Sequence, residues 1–293
     1  MRAVLGVIGG SGLYNFADVR DARSVDVATP FGRPSDPIVV GTVAGTPIAF
    51  VARHGTGHRY SPSDLPYRAN IYALKQLGVT HLMSVSAVGS LRQDLPPRSV
   101  VVPDQIVDRT AGRARTFFEE GVVAHVGIAE PFCPNMRPAL AAAIGVAGGE
   151  PREGGTYVCI EGPQFSTRAE SELHRAWGAT VVGMTAMPEA RLAREAELCY
   201  ATIALVTDYD VWHEEEAAVS VELVMNYLRA NADLAKRVVS ALAAAGLPAR
   251  TCGCSDALRH AIVTSPDRIP VATRRRLGVI ADRYLPPIEG DAP

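Results

Sequence analysis

The chain lacks the features that would tie it to a membrane, a nucleic acid or an oxidising compartment. No apolar run in its 293 residues approaches the ~20 residues that span a bilayer. Twenty-nine basic and thirty-one acidic side chains leave a formal net charge of −2. That balance gives no global attraction for nucleic acid or anionic lipid, so any anion site has to be built locally. Five cysteines, Cys133, Cys159, Cys199, Cys252 and Cys254, are too few and too scattered for a secreted disulfide framework. Cys252-Gly253-Cys254 is the one close pair. A zinc site there would need two more ligands, with His260 the only nearby candidate. Free thiols or a small redox-sensitive bridge are therefore expected, and no metal. Met1-Arg2-Ala3-Val4 runs straight into a strand-like segment and does not resemble a secretion signal, so a cytoplasmic location is expected. Two nucleotide fingerprints are also missing: Gly9-Gly10-Ser11-Gly12 fails the G-x-G-x-x-G spacing, and no Gly-Lys-Ser/Thr is present.

What is present is an alternation of short apolar runs and amphipathic stretches. Val4–Ile8, Pro47–Ala52, Leu82–Ala87, Ser99–Val102, Thr156–Ile160, Thr180–Met184 and Thr202–Val206 read as strands. Tyr67–Leu77, Arg168–Trp177, Glu189–Leu198, Val219–Leu228 and Asn231–Ala244 read as helices. The alternation predicts an α/β fold, with a central mixed, largely parallel sheet flanked by helices. No repeat, low-complexity tract or Pro/Ser-rich linker divides it. A single domain over 1–293 is expected, with 247–293 a C-terminal helical extension and a frayed tail. Arg274-Arg275-Arg276 reads as a solvated helix face.

Ligands of such sheets gather beyond the carboxyl ends of the strands, so the residues just past each apolar run are the candidates for a site. After the first come the glycines of Gly9–Gly12 with the Ser11 hydroxyl, suited to an anion or simply to a tight turn. Arg53 and His54 come after the second, a plausible phosphate clamp that is bidentate through the guanidinium. Ser86, Ala87 and Gly89 allow close approach of backbone and a hydroxyl. Thr185 adds another hydroxyl beside Met184, an adaptable apolar wall. Phe165 could stack on a flat base, and Thr167 or Ser166 with Glu170 forms a helix-capping box. Most informative is Thr207-Asp208-Tyr209-Asp210, at the mouth of the run Tyr200–Val206. Two carboxylates two residues apart point the same way if the extended conformation continues. Like charges exposed to one cleft disfavour folding, but suit a cleft that must exchange protons or hydrogen bonds with a nitrogen-rich ligand. An Asp-rich turn would read the same way in isolation. Together the strand ends describe a ligand that combines phosphate with a nitrogen heterocycle.

These motifs, with Thr29-Pro30-Phe31-Gly32-Arg33-Pro34-Ser35-Asp36, Tyr67-Arg68-Ala69-Asn70 and Glu161-Gly162-Pro163-Gln164-Phe165-Ser166, make the chain resemble the trimeric purine nucleoside phosphorylase family, in its methylthioadenosine phosphorylase branch, over about residues 4 to 246. The resemblance implies phosphorolysis of 5′-methylthioadenosine to adenine and 5-methylthioribose 1-phosphate. It implies no cofactor or metal beyond inorganic phosphate as co-substrate. Carried over by position, Ser11, Arg53, His54, Ser86, Ala87 and Thr185 would hold phosphate. Phe165, Ser166, Asp208 and Asp210 would surround the base, and Met184 would lie under the ribose. Val221 and Val224 would line the methylthio pocket, with His125 reaching in from a neighbouring subunit of a homotrimer, or of a hexamer of trimers. Ser11 and Ser86 stand where the family often has Thr, which keeps the hydroxyl. Gln164 replaces a frequent Arg. Asp208 is expected to protonate or share a proton with N7, and Asp210 to orient the base. Paired acids accept from a 6-amino group, whereas a 6-oxopurine site would favour Asn. The acidic run Glu214-Glu215-Glu216 reads as an exposed lid whose base is anchored by Trp212. A 6-oxopurine or methylthioinosine phosphorylase, a hydrolase and a non-catalytic nucleotide-binding protein remain as rival readings.

Overall fold

The computed structural model describes residues 3–10, 19–213 and 221–286, with the backbone alone for 221–226 and 228–230. Its centre is a pair of long strands, β5 (His81–Ser90) and β11 (Cys199–Asp208), which run parallel from His81 beside Cys199 to Gly89 beside Asp208. All ten residues of β11 are buried, which is why this stretch reads as a continuous apolar run. Its side chains alternate between two cores. Tyr200, Ala204 and Val206 face one, and Cys199, Ala201, Ile203 and Leu205 the other.

Around this pair, β1 (Leu5–Gly9) lies parallel to both β5 and β4 (Thr46–Ala52). β3 (Ile38–Val43) and β2 (Arg20–Val25) extend that edge antiparallel. On the other side β6 (Val100–Val102) joins β11, and β8 (Pro151–Glu153) pairs with β6. β10 (Val181–Gly183) crosses the far end of β5 antiparallel, followed by β9 (Thr156–Ile160) and β7 (Gln105–Arg109). Helices α1 (Tyr67–Gln76) and α4 (Ala186–Glu195) supply Ile71, Leu74, Ala190 and Leu192 to the first core. The second core takes Met136 and Leu140 from α2 (Met136–Val146) and Val238 and Leu242 from α5 (Val221–Ala245). The mixed, largely parallel sheet with flanking helices is therefore the expected one.

The local differences have physical reasons. β2 and β7 are edge strands with exposed or half-buried side chains, so no burial pattern announces them. The two helical patterns at 219–228 and 231–244 are one helix, α5, since no breaker separates them. The segment after residue 246 is mostly 3-10 turns and the short α6 (Val271–Leu277). It is nevertheless built into the first core through Leu258, Ile269, Leu277 and Ile280. The expected frayed end falls largely on residues 287–293, outside the described residues. The arginine run is only partly a solvated face. Arg276 turns inward to pair with Glu119 and Glu120 and sits over the Phe31 ring at 5.5 Å.

α3 (Arg168–Ala176) starts on a complete capping box. Thr167 Oγ1 accepts from the Glu170 N–H, and the Glu170 carboxylate accepts from the Thr167 N–H at 2.7 Å. This cap fixes where the loop bearing Phe165 and Ser166 gives way to helix. Thr167→Ala should cost ~1 kcal/mol and lower the thermal midpoint by about 2 °C, read by calorimetry.

Candidate active site

The sheet is not continuous along one flank of β5. On that side β1 pairs with residues up to Ser84 and β10 pairs only with Gly89 and Ser90. Val85–Val88 thus have no strand partner there among the described residues. A cavity of about 540 Å³ lies at this gap, lined there by Val85, Ala87, Val88 and Gly89. Of the residues singled out from the sequence, Arg53, His54, Ala87, Phe165, Met184, Thr185, Asp208, Asp210 and Ser166 line it, together with Gly10. Ser86 is tied to it, its hydroxyl 3.1 Å from that of Thr185 with both residues buried. Ser11 lies outside the described residues, as do the side chains of Val221 and Val224 and the run Glu214–Glu216. His125 is exposed and does not line this chain's own cavity. Trp212 does anchor the segment before the acidic run, donating from Nε1 to the Ser90 carbonyl at 2.7 Å.

The two acids reach the cavity by a turn and not by continued extension. A register shift falls between Val206 and Asp208, and Asp210 takes a left-handed φ of 54°. Asp208 Oδ1 accepts from the Asp210 N–H at 2.8 Å, and Oδ2 accepts from Thr207 Oγ1 at 2.7 Å. The Asp-rich turn and the acid pair at the cavity are thus the same structure. Burial pushes both carboxyls above the usual carboxylate range. For Asp208 the Thr207 and Asp210 donors offset that only in part; the Ser171 and Ser166 hydroxyls lie near enough to Asp210 to moderate its shift but outside hydrogen-bonding geometry. Asp210 Oδ2 and Ser166 Oγ are buried without a hydrogen-bond partner among the described residues. Native interiors rarely leave such atoms unpaired, so this end of the cavity is set for a polar ligand. Gly89 makes room for it: a Cβ there would stand 2.8 Å from Asp208 Oδ1 and 3.2 Å from Asp210 Cβ.

Arg53 is held differently from the bidentate clamp that its position suggests. Its guanidinium is 2% exposed and its fork faces Glu189, Nε to Oε2 at 3.1 Å and Nη2 to Oε1 at 3.3 Å. Nη2 also donates to Ser84 Oγ at 2.6 Å, and Nη1 donates to the Val85 carbonyl at 2.8 Å. One Nη1 hydrogen remains for a ligand. Glu189, which the sequence did not mark because it looks like any helix carboxylate, is what occupies the fork. His54 donates from Nδ1 to the Tyr60 carbonyl at 2.9 Å and stacks on His58 at 4.2 Å. Burial, helped by the Arg53 charge, lowers its pKa to about 4. The ring is therefore neutral near pH 7, with Nε2 an acceptor suited to the hydroxyl of a hydrogen phosphate.

Arg113 is a second unmarked organiser. It donates from Nη1 to the carbonyls of Met184 and Met187, each at 2.7 Å, and pairs with Glu161 at 3.1 Å. The Met184 carbonyl is thus already engaged. Ser35 and Asn70, from the shared motifs, are buttresses: the Ser35 N–H donates to Asn70 Oδ1 and Ser35 Oγ to the Ala52 carbonyl, at 2.8 and 2.7 Å. They brace the end of β4 next to Arg53.

A cavity with paired buried acids near Gly89 and buried hydroxyls at Ser86 and Thr185, with Ser86 three residues earlier on β5, has the polar lining of an enzyme site. The chain belongs to the phosphorylase superfamily, whose family profile matches residues 4–244. Relatives named S-methyl-5′-thioadenosine phosphorylase include that of Koribacter versatilis, 53% identical over 97% of this chain and 98% of the relative. That of Chloroflexus aurantiacus is 55% identical over 96% and 98%. Among solved structures, a methylthioadenosine phosphorylase from an antarctic soil metagenomic library superposes with a TM-score of 0.90 at 48% identity, over 96% of this chain and 99% of that one. The Schistosoma mansoni methylthioadenosine phosphorylase in complex with adenine gives 0.79 at 39% identity, over 83% and 91%.

Removing Glu189 would leave Arg53 charged and unpaired in the core, so Glu189→Ala should lose ~3 kcal/mol or more in denaturant unfolding. The acid pair should have the opposite sign. A carboxyl whose pKa is raised on folding contributes stability below the usual carboxylate range and loses it as pH rises through the raised value. Asp210→Asn should therefore raise the thermal midpoint at pH 7 and gain little below about pH 4.

Proposed function

We propose that the chain catalyses the phosphorolysis of S-methyl-5′-thioadenosine: phosphate attacks C1′, the C1′–N9 bond breaks, and adenine and 5-methylthioribose 1-phosphate leave. The observation that carries this reading is the buried Asp208–Asp210 pair, with unpaired acceptor and hydroxyl atoms, in a cavity that also presents His54 and Thr185, the latter hydrogen-bonded to Ser86. Ser86 and Gly89 are three strand residues apart, about 10 Å, which suits a phosphate below the sugar and a base beyond it. Phosphate stabilises the oxocarbenium-like sugar and is poised to attack it. The elevated proton affinity of Asp208 lets it hold or share a proton at N7 of the leaving adenine. Asp210 accepts from the 6-amino group, which a 6-oxo oxygen could not satisfy. Phe165, 43% exposed at the rim, lies over the base, and Met184 under the ribose. The phosphate end gains little charge from Arg53, whose fork is neutralised by Glu189. Neutral donors, one Arg53 N–H and the Nε2 acceptor of His54 hold the anion instead.

In this reading Ser11 adds to the phosphate site, and Val221 and Val224 receive the methylthio group. The enzyme uses no cofactor beyond the phosphate co-substrate and serves purine and methionine salvage in the cytoplasm. It works as a homotrimer, or a hexamer of trimers, in which His125 enters a neighbour's site. The exposure of His125 away from its own cavity supports that placement.

The deciding assay measures base release from 5′-methylthioadenosine with and without inorganic phosphate, beside 5′-methylthioinosine and inosine. Phosphate-dependent adenine release with little turnover of the other two is expected. Release without phosphate would indicate a hydrolase, and preference for the inosine-type substrates would overturn the role given to the acids. Asp208→Asn should lower kcat by about 10²–10⁴ while adenine binding, read by calorimetry, persists.

A further inference from the structure

Four of the five cysteines converge at the end of the sheet opposite the cavity. Cys133 precedes α2, Cys199 opens β11, and Cys252 and Cys254 lie in the segment after α5. Their sulfur atoms all fall within 4.8 Å of one another. Cys133 and Cys199 each place Sγ 3.5 Å from that of Cys252. A disulfide would need ~2.05 Å. Four thiolates around one zinc ion at a Zn–S distance of ~2.3 Å sit about 3.8 Å apart, the edge of the tetrahedron. The sulfurs are therefore close to the spacing of a closed four-sulfur site. Cys133, Cys199 and Cys254 are buried and Cys252 is half-buried, which leaves an entry path.

The surroundings suit a site with net negative charge. Arg194 Nη1 donates to Cys254 Sγ at 3.4 Å, and the Arg250 side chain faces Cys199. The N–H groups of Met136 and Asn135, at the start of α2, turn toward Cys133 beside the neighbouring thiols. Cationic and N–H donors around bound thiolates are the outer shell that such a site needs.

We propose that Cys133, Cys199, Cys252 and Cys254 bind one structural zinc ion that clips the C-terminal extension to α2 and β11. Four protein thiolates leave no open position for a substrate. Cys199 and Asp208 stand at opposite ends of β11, nine residues or about 30 Å apart, so the ion takes no part in chemistry at the cavity. This departs from the expectation of no metal. The C-x-C pair supplied only half of a ligand set, and the other half lies 53 and 119 residues away in sequence, where no spacing rule connects them.

The full chain, produced in zinc-supplemented cells and kept reduced, should carry one equivalent of zinc by atomic emission. After stripping with a thiol-reactive mercurial and reduction, titration with Co(II) should give the intense visible bands of a tetrahedral thiolate complex, saturating at one equivalent. Cys252→Ser and Cys254→Ser should each abolish stoichiometric binding, whereas Cys159→Ser, whose sulfur lies elsewhere in the core, should keep it. Metal-free wild-type protein with all five thiols titratable, no Co(II) bands, or a mass showing a disulfide among the four would overturn the site. The Co(II) spectrum needs no variant to fold, and none of these readouts depends on phosphorolysis, so either proposal can fail alone.

Discussion

The buried ion pair between Arg53 and Glu189 is the contact on which the site depends. Arg53 leaves the end of β4 and reaches the Ser84 hydroxyl and the Val85 carbonyl of β5. Glu189 comes from α4 and also accepts from the Tyr200 hydroxyl of β11 at 2.9 Å. One charge pair thus joins the two central strands to β4, which lies beyond β1, and to the helix on one face. A charged group so deeply buried is tolerated only with its partners in place. The cost of displacing any one of these elements is therefore high, which holds the strand ends around the cavity.

Against that rigid base, the polar end of the cavity is left unsatisfied. The ladder beside β5 is interrupted, two carboxyls are kept in a space that raises their pKa, and Asp210 Oδ2 and Ser166 Oγ lack partners among the described residues. Each feature lowers the stability of the ligand-free fold. Together they leave fixed donors and acceptors that a polar ligand can meet without reorganisation of the protein. The thiol cluster lies at the other end of the same strand, away from the cavity.

Much of the site was legible because strand ends are local in sequence. Arg53-His54, Ser86-Ala87, Met184-Thr185 and Asp208–Asp210 each lie at the end of an apolar run, and the rule that ligands gather beyond such ends brings them together. The partners that tune them were not legible. Glu189 and Arg113 carry no motif, and their meaning comes from elements far away in the chain. Asp208 and Asp210 were correctly paired but for an incomplete reason, since a left-handed turn and not strand alternation brings both to the cavity.

The alternation of strands and helices, the largely parallel sheet, the capping box at Thr167 and many of the polar cavity residues were readable from the chain alone. These come from periodicity and from chemistry within a few residues, where chain connectivity supplies the geometry. Long-range packing set the Arg53 fork against Glu189 and left His54 a neutral acceptor. It also brought Cys133 and Cys199 to the C-x-C pair. Those outcomes depend on burial and on contacts between distant segments, and both exist only once the sheet has formed.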